Sequence, residues 1–160
     1  MMKRRAVVVG ILALGVAPVL AHGAPRGEAK GTVAGKAISV DYGRPSLMGR
    51  DMLAQAKVGD AWRMGADAPT TLTTEADLAF GAAKVPKGSY VLKATKAADD
   101  KWTLNVLGKD GGTVADVPFT VGSLPESVET FTIEIHGGQD KGAIQLQWGK
   151  TSLTAPFTAN

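Results

Sequence analysis

Beyond residue 36 the chain alternates apolar and polar positions with a period of two. Ile38, Val40 and Tyr42 are separated by Ser39 and Asp41, and Tyr90, Leu92 and Ala94 by Val91 and Lys93. The same rhythm runs through Trp102, Leu104 and Val106, then Phe131, Ile133 and Ile135, then Ile144, Leu146 and Trp148. Successive side chains of an extended chain point to opposite faces, so each run predicts a strand with one buried face. Between the runs stand Pro86-Lys87-Gly88, Asp99-Asp100, Asp110-Gly111-Gly112, Gly137-Gly138 and Gly149-Lys150, combinations that favour turns. Only residues 50–57 (RDMLAQAK) read as a helical turn or two. Short strands punctuated in this way predict an all-β fold. The expected architecture is an antiparallel β-sandwich, Ig-like or jelly-roll-like, of about eight to nine strands.

The first residues follow a different pattern. Lys3, Arg4 and Arg5 precede the apolar stretch 6–17, and Val19-Leu20-Ala21 offers the small residue a signal peptidase needs. The stretch is shorter than the roughly 20 residues of a spanning helix and is broken by Pro18. The expectation is a signal peptide over 1–21, a flexible polar leader over 22–30 and a single domain over 31–160. The address is then periplasmic or secreted, with no membrane span after processing.

Removal of that segment changes the charge. The whole chain carries 18 Lys+Arg against 15 Asp+Glu. Three basic residues leave with the signal, so the remainder is electrically balanced and offers no basic footprint for nucleic acid. The chain has no cysteine, so the domain is stabilised without disulfides and carries no lipidated cysteine.

Residues 41–75 break the alternation and hold Arg44, Arg50 and Arg63, with only Arg26 elsewhere in the expected mature chain. The other basic residues there are lysines. Arginine presents a planar fork suited to carboxylate or phosphate, whereas lysine is a mobile point charge. In this region VDYGRPSLMGR, WRMGADAPTTL, DLAFGAAKVPKGSYVLKA and WTLNVLGKDGG together resemble the family known as domain of unknown function 2911. The resemblance runs from about residue 36 to the end. It implies an exported bacterial β-sandwich and carries no settled activity.

Two readings of the arginine segment compete. In the first, Arg44, Arg50 and Arg63 clamp a small anionic ligand or an envelope partner, with Tyr42 and Trp62 as walls and Asp67 nearby. In the second, Asp41, Asp51 or Asp67 pair with the arginines and pin a long loop across the sandwich, satisfying its polar groups. Tyr90, Trp102 and Trp148 alternate as core residues do.

Histidine supplies a further candidate. Cleavage after Ala21 would leave His22 with a free α-amine beside its imidazole, and with His136 this pair could chelate copper. The sequence offers no other metal ligand set. It has no cysteine nucleophile, G-x-S-x-G elbow, H-E-x-x-H motif or phosphate-cradling glycine loop. The leading expectation is a non-catalytic binding or accessory module. The alternative is an enzyme on an anionic or carbohydrate substrate with Asp41 or Asp67 as acid/base, and the third reading is purely structural.

Overall fold

A computed structural model describes residues 24–160. The expected signal segment 1–21 and the copper candidate His22 lie outside the described residues. The strands are β1 (Arg26–Val33), β2 (Lys36–Gly43), β3 (Ala61–Trp62), β4 (Thr70–Thr74), β5 (Leu78–Phe80) and β6 (Ala83–Val85). They continue with β7 (Gly88–Lys96), β8 (Trp102–Leu107), β9 (Thr113–Pro118), β10 (Thr120–His136) and β11 (Lys141–Ala159). Among the described residues one short helix, α1 (Met52–Gln55), falls inside the stretch where a helical turn was expected.

All pairings are antiparallel, and they form two sheets. One has seven strands in the order β1-β2-β4-β7-β8-β9, with β3 added against β7; the other has four, in the order β10-β11-β5-β6. The count exceeds the expected eight or nine because β3, β5 and β6 have only two or three residues each. Segments so short show no measurable alternation.

Register converts the sequence period into a core. Ala29 stands opposite Val40, and Val40 opposite Leu72. Farther along the same sheet Ala94 faces Leu104, and Leu104 faces Val117. All of these are buried, and they meet Phe131, Ile133, Ile144, Leu146 and Leu153 of the second sheet in one continuous cluster. Two hydrophobic faces stacked in this way remove water from both at once, which is the main stabilising term.

Two local readings of the sequence need correction. The stretch 22–30, expected to be a flexible leader, is strand from Arg26 onward. Its inward positions are Gly27, Ala29, Gly31 and Val33, so it alternates in size rather than in hydrophobicity. The small residues are needed there. A Cβ at Gly31 would come within 2.6 Å of the Ile135 side chain, and one at Gly27 within 2.5 Å of Arg44 Cδ. The second correction is Gly149-Lys150, which is not a turn. β11 runs through it, with Gly149 at φ +60° opposite Val128, where the β10–β11 register shifts. It marks a bulge, which bends a long strand without ending it.

Candidate functional site

The segment 44–69 leaves the seven-stranded sheet after β2, touches it again at β3 beside β7, and rejoins it at β4. Its geometry depends first on Arg26, the arginine that lies apart from the other three in sequence. The Arg26 guanidinium donates to the carbonyls of Ala66 (3.3 Å), Ala68 (3.2 Å) and Pro69 (3.5 Å) and forms an ion pair with Asp41. Three carbonyls of an irregular loop thereby gain donors, which meets the requirement that a loop's backbone polar groups find partners. The backbone it holds is unusual. Met64 is fully buried at φ +56°, Gly65 follows at +149° and Asp67 at +65°. Thr70 Oγ1 donates to the Met64 carbonyl at 2.7 Å. Gly43 lies so close beneath Ala66 that a methyl group there would overlap the Ala66 carbonyl.

Arg44 has a different task. Its Nε donates to the Phe131 carbonyl at 3.2 Å and Nη2 to Thr132 Oγ1 at 3.1 Å. Tyr42, buried two residues earlier, accepts the Ile133 N–H on its hydroxyl at 2.9 Å. These two residues tie the end of β2 to β10, and so join the two sheets.

Arg63 is exposed and donates from Nη1 to the Asp67 carbonyl at 2.9 Å. Arg50 is exposed, and among the described residues its guanidinium has no hydrogen-bond or ion-pair partner. The expected gathering of Arg44, Arg50 and Arg63 into one site therefore gives way to three separate placements. Asp51 pairs with none of them; it caps α1, accepting the Ala54 N–H at 3.1 Å. Asp67 Oδ2 accepts the Ala24 N–H at 2.9 Å.

Aromatic side chains, not arginines, are what the segment brings together. Trp62 on β3 stacks on Trp148 of β11, with ring centroids 5.8 Å apart and planes 15° apart. It meets Phe131 of β10 at 4.9 Å and Trp102 of β8 at 6.0 Å, both edge to face. Beside them opens a hollow of about 680 Å³, walled by Trp62, Trp102, Trp148 and Leu53, with Asp60 and Arg63 among its polar residues. Trp148 and Trp102 are buried, whereas Trp62 is half-buried.

The wall supplied by α1 is held by a lysine. Lys96, at the inner end of β7, has a side chain only 7% exposed. Its Nζ donates to the carbonyls of Leu53 (3.1 Å) and Ala54 (3.3 Å) and lies 5.9 Å from the centroid of the Trp102 ring. A four-residue helix leaves its carbonyls unpaired, and a buried ammonium needs acceptors, so each satisfies the other. Lys96 and Phe131 were not singled out as site residues from sequence. Lys96 occupies an inward position in an alternating strand, and a charged residue at an inward position was the signal available.

His136, the remaining copper candidate, is exposed near the end of β10. Its Nε2 lies 2.8 Å from Gln145 Oε1 and 3.5 Å from Glu134. Among the described residues no three potential metal ligands cluster.

The chain is thus an antiparallel two-sheet β domain with an aromatic hollow beside a clamped irregular loop. It belongs to the family described as protein of unknown function (DUF2911), whose model matches residues 24–157. No curated protein and no solved structure gives a significant match.

Proposed function

We propose that the protein is an exported, non-catalytic binding module, and that its ligand enters the hollow beside Trp62. The observation that carries this reading is the convergence of Trp62, Trp102 and Trp148 around about 680 Å³ of space. Small-molecule sites are typically concave, largely apolar and of a few hundred Å³, with few polar groups. Tryptophan offers a wide flat surface at little entropic cost. Arg63 and Asp60 both line this hollow, so its charge is balanced. The fitting ligand is a small molecule with a flat or apolar body whose anionic group meets the Arg63 guanidinium and whose remainder offers no second negative charge to Asp60. The signal pattern of residues 1–21 is what supports export in this reading.

The two carboxylates considered for acid/base chemistry support the non-catalytic reading. Asp41 is paired with Arg26, and Asp67 accepts the Ala24 N–H while its carbonyl holds Arg63. Neither lines the hollow. Of the acids expected to pair with Arg44, Arg50 or Arg63, Asp41 pairs instead with Arg26, while Arg44 bonds the Phe131 carbonyl and Thr132 Oγ1.

A panel of small aromatic carboxylates and phosphates, screened by tryptophan fluorescence and thermal shift, tests the proposal. A ligand of the folded state raises the melting temperature by mass action. The expected result is a quencher that stabilises the protein and loses its effect in Trp62→Ala. A panel that leaves both signals unmoved, or one whose hits act equally on Trp62→Ala, would overturn it.

A further inference from the structure

We propose that the solvent-facing side of the seven-stranded sheet carries a second site, formed by Arg63, Lys93 and Lys109, for a compact anion of two or more charges, with diphosphate as the fitting chemistry. This goes beyond the hollow: the two share Arg63, but the lysines of this site, Lys93 and Lys109, do not line the hollow. The three residues line a concavity of about 400 Å³ whose floor includes Pro69, Val91 and Leu107. They come from three distant segments: Arg63 from the exit of β3, Lys93 from the outward row of β7, and Lys109 from the turn after β8.

Charge selects the ligand. Among the described residues none of the three has a carboxylate within ion-pair distance. One acid, Asp67, lines the same space. Three cations against one carboxylate give the lining itself an excess of two positive charges, with the Asp110 carboxylate just behind it over Gly108. A dianion or a more highly charged oxyanion matches that excess, and its several oxygens can use both the planar guanidinium and the two mobile ammonium groups. Asp110, in the turn that bears Lys109, directs Oδ1 to the Gly112 N–H at 3.0 Å.

Part of the site is held in advance. The Arg63 guanidinium is tethered to the Asp67 carbonyl, and Asp67 is itself in a left-handed conformation. The loop behind it is clamped by Arg26 and seated on Gly43. An irregular backbone conformation maintained by so many contacts is characteristic of functional segments.

Inorganic pyrophosphate is the probe, titrated at low ionic strength by calorimetry, with acetate as the monovalent comparison. Pyrophosphate should bind and raise the melting temperature, acetate should not, and the affinity should fall as salt screens the site. Lys93→Gln and Lys109→Gln should each weaken binding about three- to tenfold, the modest size expected of exposed charges. The double variant should lose the response while its own melting temperature stays unchanged. It should also keep ligand quenching at the tryptophans, so failure here and failure of the hollow are distinguishable. Absence of binding at millimolar pyrophosphate, or binding that the double variant retains, would overturn the proposal.

Discussion

The two concavities share Ala61 and Arg63, yet they are made of opposite materials. The hollow is an opening in the core, walled by rings that also hold the sheets together. The outer concavity is laid over a finished sheet, and its two lysines, Lys93 and Lys109, are exposed and take no part in the core. β7 contributes to both environments. Lys96 points inward to the α1 carbonyls and the Trp102 ring, while Lys93, three residues before it, points outward. An odd separation along a strand places two residues on opposite faces, so the same residue type becomes a structural bolt in one place and a free charge in the other. Substitution of a ring that lines the hollow should therefore cost stability, whereas substitution of Lys93 or Lys109 should not.

The sharpest way to break that contrast is Phe131→Ala. Phe131 is fully buried and touches Tyr42, Trp62 and Trp148. Its removal should cost about 3–5 kcal/mol in urea unfolding, because a cavity replaces a packed ring. A loss below about 1 kcal/mol would mean that the aromatic cluster is not core.

Matched lysine substitutions measure the contrast directly. Lys96→Met keeps an apolar stem but leaves the Leu53 and Ala54 carbonyls without their donor. It should cost about 1–3 kcal/mol and weaken any ligand of the hollow as the α1 wall loosens. Lys93→Met should leave stability within about 0.5 kcal/mol. Equal melting temperatures for the two variants would contradict the assigned roles.

Gly43→Ala probes the loop that separates the concavities. Overlap with Ala66 should force that loop to shift, at a cost of about 1–3 kcal/mol, and the pyrophosphate response should fall with it. Calorimetric titration alongside thermal melting checks both effects. Arg26→Gln should have a smaller effect, about 1 kcal/mol or less, since its ion pair with Asp41 is partly exposed. Limited proteolysis should nevertheless show faster cleavage within 64–69, where three carbonyls lose their shared donor. A cleavage pattern identical to that of the unsubstituted protein would assign the clamp to other contacts.

The alternation at 38–42, 90–94, 102–106, 131–135 and 144–148 was enough to establish an all-β chain and most of its inward residues. That information is local: a side chain's face depends on its position in an extended backbone and on burial, both of which recur every two residues. Where one face is lined by glycine and alanine, as in β1, hydropathy carries no signal, because the requirement there is small size against Ile135 and Arg44. The bulge at Gly149 was equally hidden, since a left-handed glycine looks the same in a turn and in a bent strand. Family membership, too, was readable from motif order alone.

Sequence did not determine which residues meet. It placed Trp62 near a site and Trp102 and Trp148 in the core, but not all three around one hollow. It grouped Arg44, Arg50 and Arg63 by proximity along the chain, whereas Arg44 is engaged by Phe131 and Thr132 and Arg63 by Asp67. Arg26 clamps a loop some 40 residues away, and Lys93 and Lys109 join Arg63 across three segments. Such convergence depends on how two sheets stack and how far an irregular loop is drawn back toward them. Those are properties of long-range packing, and no local period encodes them.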